Sequence, residues 1–169
     1  MTYDAEVTAA VAQAMTLYGV TVDPALVHAV IEQETRHGAL KITGTLEPNG
    51  HYSYGPMQVQ DTTGAMHGIT DPSTMAVPSI GIRIGTYELA RLMKLYPGDT
   101  ARAVAAYNAG AGNSARTSSG TFVNQSYVDK VLAFWKQYQG TVTAVGGGLG
   151  LLALVVVLFM AFRRKLTGR

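Results

Sequence analysis

Short helical segments separated by glycine-rich loops fill the first 140 residues of the chain. The clearest start is Asp23-Pro24, because aspartate is a preferred N-cap and proline is favoured at the first helical position. Helices are expected at residues 4–18, from Pro24 towards Gly38, and at 61–66, 78–95, 101–107 and 127–138. Alternation typical of strands never exceeds a few residues. The pattern therefore predicts an all-α fold, in which the loop at residues 40–60 has room for a small β-hairpin.

The charge and cysteine content exclude several classes of function. Four of the thirteen basic residues lie in the last seven positions, so the rest of the chain carries nine basic and eleven acidic residues. Without a basic patch, a nucleic-acid partner is not expected. The chain has no cysteine, and its four histidines are not spaced as metal ligands. Neither a metal site nor another cofactor is predicted.

An uncharged, largely apolar run occupies positions 141–162 and is followed at once by Arg163, Arg164 and Lys165. A helix of this length matches the hydrocarbon core of a bilayer, about 30 Å thick. We therefore expect a folded domain at 1–140, a single C-terminal transmembrane helix at 141–162 and a basic tail at 163–169. The tail favours the interior side of the membrane, with the domain on the opposite side. The alternative is a C-terminal helix buried in a globular core.

One carboxylate interrupts the apolar face of the helix that begins at Pro24. The apolar stripe occupies positions 26–27 and 30–31, and Glu34 continues it, whereas Glu32 lies on the opposite, solvated side. Burial of Glu34 should raise its pKa and keep it protonated near neutral pH, as a general acid requires. The alternative is a buried structural carboxylate that is satisfied by an arginine or a tyrosine. This helix alone does not decide between the two.

Four stretches then lie in an order typical of one enzyme family. They are AVIEQET around Glu34, SYGPMQVQ at residues 53–60, AVAAYNAG at residues 103–110 and YVDKVL at residues 127–132. Over about residues 23–135 they resemble the lytic transglycosylases, a family related to goose-type lysozyme. The resemblance implies a lysozyme-like fold. It also implies that the substrate is the glycan strand of peptidoglycan, cleaved at the β-1,4 bond between N-acetylmuramic acid and N-acetylglucosamine.

The same resemblance implies which residues carry the reaction. Glu34 would protonate the glycosidic oxygen and then act as base on the 6-hydroxyl of the same muramic acid, giving a 1,6-anhydro product without water. No second carboxylate matches a catalytic motif. The implied substrate-binding positions are Thr35, Gly55, Met57, Gln58, Tyr107, Asn108 and Tyr127.

Two of these positions have a more specific expected role. Tyr107 is expected to hydrogen-bond the Glu34 carboxyl, and Asn108 is expected to bind the acetamido group of a sugar. Core packing is the alternative role for Tyr107 and Tyr127, and helix capping is the alternative for Asn108. The 24 positions from Glu34 to Gln58 exceed the usual separation in the family by several residues, which predicts an enlarged loop.

With the expected membrane anchor, the resemblance suggests a virion-associated enzyme that opens the cell wall locally for phage genome delivery. It would be anchored in a virion membrane or a bacterial inner membrane, with its domain facing the wall and other virion or envelope membrane proteins as partners. Three alternatives remain open. They are a hydrolytic muramidase, a transglycosylase of a secretion or conjugation apparatus, and a catalytically silent structural membrane protein of a virion.

Overall fold

The computed structural model describes residues 3–140 of the chain. Its α-helices are α1 (Asp4–Tyr18), α2 (Pro24–Thr35), α3 (Asp61–Met66), α4 (Pro78–Leu95), α5 (Thr100–Ala109) and α6, which occupies residues 125–140. Short 3-10 helices lie at Pro72–Ala76 and Ala111–Asn113. The strands are β1 (Thr45–Leu46), β2 (Tyr52–Tyr54) and β3 (Val59–Gln60).

The predicted helix starts are confirmed where an aspartate precedes the helix. Asp23 caps α2, because its Oδ1 accepts a hydrogen bond from the Ala25 N–H at 2.8 Å. Asp99 caps α5 in the same way, accepting from the Arg102 N–H at 2.9 Å. These side chains satisfy backbone donors that have no partner inside the helix.

The end of α2 differs from the prediction. The helix ends at Thr35, before the predicted stop at Gly38. Arg36 and His37 have φ angles of 49° and 52°, in the left-handed region, and therefore turn the chain out of the helix. As a result, Glu34 lies one residue from the end of α2, beside a tight change of chain direction.

The loop at residues 40–60, which had room for a small β-hairpin, forms a three-stranded antiparallel sheet. Thr45 of β1 pairs with Ser53 of β2, and Tyr54 of β2 pairs with Val59 of β3. Strands of two or three residues are too short for alternation to reveal them in a sequence. The observed fold is therefore mainly helical and lysozyme-like, with a small sheet.

The prediction of a transmembrane helix also requires correction. Within residues 3–140, no helix is both long and apolar enough to cross a membrane. Helix α4, for example, has 18 residues but includes Arg83, Glu88, Arg91 and Lys94. Segments 141–162 and 163–169, on which the prediction of an anchor and a basic tail fell, lie outside the described residues. The membrane-anchored localisation is accordingly not retained.

Helix α2 forms the centre of the hydrophobic core. Leu26, Val27, Val30 and Ile31 are fully buried, because other parts of the domain cover this helix on several sides. Burial of a side chain of this size contributes roughly 1.5–3 kcal/mol. The core thus holds α2 firmly and fixes the position of its last turn, which carries Glu34.

Candidate active site

A cleft of about 430 Å³ opens between the small sheet and helix α5. Its lining includes Glu34, Glu47, Gln58, Glu88, Tyr107 and Asn108, together with other polar residues of the sheet. No lysine, arginine or histidine lines this cleft among residues 3–140. The cleft is therefore polar and acidic, and its volume suits a small segment of a carbohydrate chain.

The Glu34 carboxyl lines the cleft, and the residue is only partly exposed to solvent. Burial raises the pKa of Glu34 from its ordinary value of 4.5 to about 7. A hydrogen bond from Tyr127 opposes this rise, and the negative charge of Glu47 adds to it. The pKa of Glu34 is thus shifted in the predicted direction, and near neutral pH both its protonated and ionised forms are populated.

Tyr127 of α6 is the hydrogen-bond partner of Glu34. Its hydroxyl donates to Glu34 Oε1 at 2.6 Å, a short bond across 93 positions of sequence. Burial and the neighbouring Glu34 charge raise the pKa of Tyr127 well above its usual range, so that it remains a neutral donor. Tyr127 does not line the cleft, and it therefore orients Glu34 from the protein side.

Tyr107 lines the cleft, but its hydroxyl has a different partner from the expected one. It donates to the backbone carbonyl of Met57 at 2.9 Å, and this bond connects α5 to the turn between β2 and β3. Burial raises the pKa of Tyr107 well above its ordinary value. The tyrosine that hydrogen-bonds Glu34 is Tyr127.

The turn at residues 55–58 contributes one side chain to the cleft. Gln58 lines it, and the Gln58 amide donates to the Gly55 carbonyl at 2.9 Å. Met57 is fully buried in the core instead. Gly55 has a φ of 77°, and a Cβ there would collide with the Met75 carbonyl, so glycine allows the turn to pack against Gly81 at the start of α4.

Thr35 lies behind the cleft and is fully buried. Its hydroxyl donates to the Pro56 carbonyl at 2.8 Å and accepts from the Gly38 N–H at 3.2 Å. These bonds connect the end of α2 to the turn that carries Gln58. In this structure the contribution of Thr35 is to position the residue beside it, Glu34.

Asn108 is exposed at the edge of the cleft, next to Asn124, a residue that no sequence motif singled out. The Asn124 amide donates to Asn108 Oδ1 at 2.9 Å and to the Ala105 carbonyl at 3.1 Å. This bond occupies the oxygen of the Asn108 amide and orients it. The N–H groups of the same amide remain available to a ligand. A carbonyl acceptor, such as that of an acetamido group, is the complementary ligand.

A second group of polar residues lies on the other side of α2, where the sequence suggested a solvated Glu32. The Glu32 carboxylate is only partly exposed and accepts from His37 Nδ1 at 2.7 Å. His37 Nε2 is in turn 3.1 Å from Nδ1 of the buried His28. These residues anchor the loop after α2, and no feature of the local sequence indicated their contact.

The family assignment follows from a comparison with known protein families. The sequence model described as the Transglycosylase SLT domain matches residues 12–127. The chain belongs to this family. The resemblance noted above is confirmed, and the matched range contains all eight predicted site residues of this SLT domain.

A solved structure shares the fold of the SLT domain. It is the X-ray structure of an inactive mutant of the lytic transglycosylase Slt from Pseudomonas aeruginosa, with a TM-score of 0.60. The two sequences are 22% identical, and the alignment covers 81% of this chain and 24% of the Slt chain. The present chain thus corresponds to about a quarter of that larger protein, and the likeness concerns the fold.

Proposed function

We propose that this SLT domain is a peptidoglycan lytic transglycosylase in which Glu34 is the single acid and base. The substrate is the glycan strand, cut between N-acetylmuramic acid and N-acetylglucosamine. The observation that carries the proposal is the Glu34 carboxyl in a polar cleft, with a pKa of about 7 and a hydrogen bond from Tyr127. A carboxyl that is half ionised near neutral pH can both donate and accept a proton.

In the first step the protonated Glu34 donates to the glycosidic oxygen. The bond between this oxygen and C1 of the muramic acid breaks, and N-acetylglucosamine leaves with a free 4-hydroxyl. Positive charge develops on the muramic acid ring as in other glycosidic cleavages. Glu34 is left as a carboxylate, which the Tyr127 hydroxyl stabilises through its 2.6 Å hydrogen bond.

In the second step the Glu34 carboxylate removes the proton from the 6-hydroxyl of the same muramic acid. The 6-oxygen then bonds to C1, which closes a 1,6-anhydro ring and restores the protonated Glu34. No water is consumed. One carboxyl is sufficient for this sequence, whereas the usual hydrolytic scheme requires two.

The remaining predicted site residues have supporting roles in this proposal. Asn108 and Gln58 line the cleft and provide amide groups for sugar hydroxyls and acetamido groups. Tyr107 lines it beside them, while Thr35, Gly55 and Met57 hold the cleft walls through the bonds and packing described above. We therefore expect substitutions at Asn108 to weaken substrate binding, and those at Thr35 to act through Glu34.

The test is product analysis with the full-length chain and its Glu34→Gln variant. Purified sacculi are digested, and the released muropeptides are examined by mass spectrometry. We expect the wild type to release 1,6-anhydro products and E34Q to release roughly a thousandfold less, because glutamine cannot donate the proton. Continued release of anhydro products by E34Q would contradict the role of Glu34.

The same products distinguish the alternative of a hydrolytic muramidase, which Glu47 keeps open as a second carboxylate in the cleft. A muramidase would add water to C1 and release muramic acid with a free reducing end, heavier by one water. A wild-type digest that contains only reducing ends would therefore replace the transglycosylase proposal with hydrolysis.

Local opening of the wall for phage genome delivery is a further part of the proposal and is supported by the wall-cutting chemistry alone. Its test is independent of the chemistry. The protein should be found in purified phage particles, and particles that carry E34Q should adsorb normally but deliver DNA less efficiently. Occurrence in uninfected cells, beside genes of a secretion or conjugation apparatus, would favour that alternative setting.

A further inference from the structure

Glu47 is a second carboxylate of the cleft that contains Glu34. It lies directly after β1, at the start of the tight turn that leads to β2. Its backbone N–H donates to the His51 carbonyl at 2.8 Å, and its own carbonyl accepts from the Gly50 N–H at 2.9 Å. The position of this residue is therefore defined by the hairpin.

The charge of Glu47 has no counter-charge in the part of the chain that the structure describes. Among residues 3–140, no basic side chain forms an ion pair with it, and no hydrogen bond reaches its carboxylate. Glu88, the other carboxylate of the cleft, differs in this respect. Its carboxylate is 2.7 Å from the Arg91 guanidinium, whose positive charge neutralises it, and 3.1 Å from His67 Nε2.

We propose that Glu47 is a positioning residue of the reaction, which acts on Glu34 and on the reacting sugar through its uncompensated charge. This inference rests on the proposed function. The negative charge opposes a second negative charge in the cleft, and so favours the proton-donating form of Glu34. The same charge stabilises the positive charge that develops on the muramic acid ring during cleavage.

Several titratable groups within residues 3–140 face Glu34, and only one of them supplies a negative charge that no basic group neutralises. Tyr127 from α6 and Tyr107 from α5 are neutral phenols, since their pKa values are raised well above the usual range. Glu88 from α4 is paired with Arg91 and His67. Glu47 from the hairpin remains, and its charge adds to the burial that raises the pKa of Glu34.

The test compares side chains of different charge at position 47 in the full-length protein. The wild type, Glu47→Gln and Glu47→Lys carry charges of −1, 0 and +1 at this site. The rate of anhydro-muropeptide release is measured as kcat/KM from about pH 5 to about pH 9, where the basic limb reports the ionisation of Glu34. Glu6→Gln is the matched control, because it removes a charge from α1, away from the cleft.

We expect the basic limb to move to lower pH by roughly half a unit in E47Q and by about twice as much in E47K. Activity on the plateau should fall about threefold to tenfold in E47Q and further in E47K. The E6Q limb should coincide with that of the wild type. A purely structural role for Glu47 would not order the three variants by charge.

Two results would overturn the inference. One is a basic limb that coincides in the wild type, E47Q and E47K. The other is an equal loss of plateau activity in E47Q and E47K, because an effect of charge must be larger in the variant with the larger change of charge. If E47K does not fold, as judged by its thermal unfolding, the position of the basic limb in E47Q alone tests the inference. Failure of the proposed function is distinct, since the wild type itself would then release no anhydro product.

Discussion

At the scale of single residues, the site depends on three influences on one carboxyl. Burial raises the pKa of Glu34, the Tyr127 hydroxyl stabilises its ionised form, and Glu47 destabilises that form. Their balance brings the pKa to about 7, where a single group serves as acid and then as base with little loss in either step. Tyr127 and Glu47 belong to different elements, so each of their influences can be changed separately.

Removal of the Tyr127 hydroxyl should shift the pKa of Glu34 upward. In Tyr127→Phe the ionised Glu34 loses its 2.6 Å hydrogen bond, so the pKa of Glu34 should rise further. The basic limb of the kcat/KM profile then moves to higher pH, opposite to the shift expected for E47Q. The kcat should fall about tenfold or more, because a charge-assisted hydrogen bond is lost.

Tyr138→Phe is the control for this prediction. Tyr138 also lies in α6 and its hydroxyl donates to a carboxylate, but that carboxylate belongs to Glu32, at 3.4 Å. The control should lose some stability and keep the basic limb of the wild type. A limb in Y127F that moves to lower pH would show that Tyr127 does not stabilise the ionised Glu34.

At the scale of elements, the site depends on how the end of α2 is attached to the β2–β3 turn. Thr35 makes this connection through its hydroxyl, which contacts Pro56 and Gly38. Tyr107 attaches α5 to the same turn at Met57. The turn thus connects the helix that carries the acid with the helix that carries Asn108.

Replacement of Thr35 by valine tests the hydrogen bonds of the Thr35 hydroxyl separately from the packing of its side chain. Valine has the same shape but leaves the Pro56 carbonyl and the Gly38 N–H without their buried partner, which costs about 1–3 kcal/mol. Urea unfolding measures this loss of stability. The kcat should also fall, since the last turn of α2 is no longer held in place.

Thr35→Ser is the matched variant, because it keeps the hydroxyl and removes only the methyl group. It should lose roughly 1 kcal/mol of stability, from the missing buried methyl. It should also retain more of the kcat than T35V. Equal activity in the two variants would mean that the hydroxyl does not position Glu34.

At the scale of the whole molecule, Glu34 is expected to reduce stability as the pH rises from acidic to neutral. The folded protein raises the pKa of Glu34 from 4.5 to about 7, so the folded state binds its proton more tightly than the unfolded state does. Between these two values stability therefore falls as the pH rises, and above about pH 7 the loss is complete. It amounts to at most about 3 kcal/mol.

E34Q should therefore be more stable than the wild type at about pH 8, because glutamine has the same shape and no charge. The expected gain in the free energy of unfolding is about 1–3 kcal/mol. At about pH 4.5 the difference should become small, since Glu34 is then protonated in the folded state. Urea unfolding of both proteins at the two pH values measures the difference in their free energies of unfolding. The same difference at about pH 4.5 and about pH 8 would contradict the prediction.

Much of the helical architecture was predictable because its signals are local. Asp23 and Asp99 mark helix starts, since a cap satisfies backbone groups only a few residues away. The apolar stripe of α2 likewise indicated that Glu34 faces inwards. The loop at residues 40–60 was expected to have room for a small hairpin, but its third strand and the register of pairing were not predictable, because strands of two or three residues carry too little pattern and are stabilised by pairing with each other.

The sequence by itself thus determined the family, most helices and the candidate acid, through caps, helical spacing and motif order. Tertiary structure alone decided that Tyr127 rather than Tyr107 contacts Glu34, since that bond spans 93 positions of the chain. It also decided that Glu47 enters the same cleft, through the pairing of β1 with β2. Both contacts depend on how distant elements pack, and no local pattern of residues records that packing.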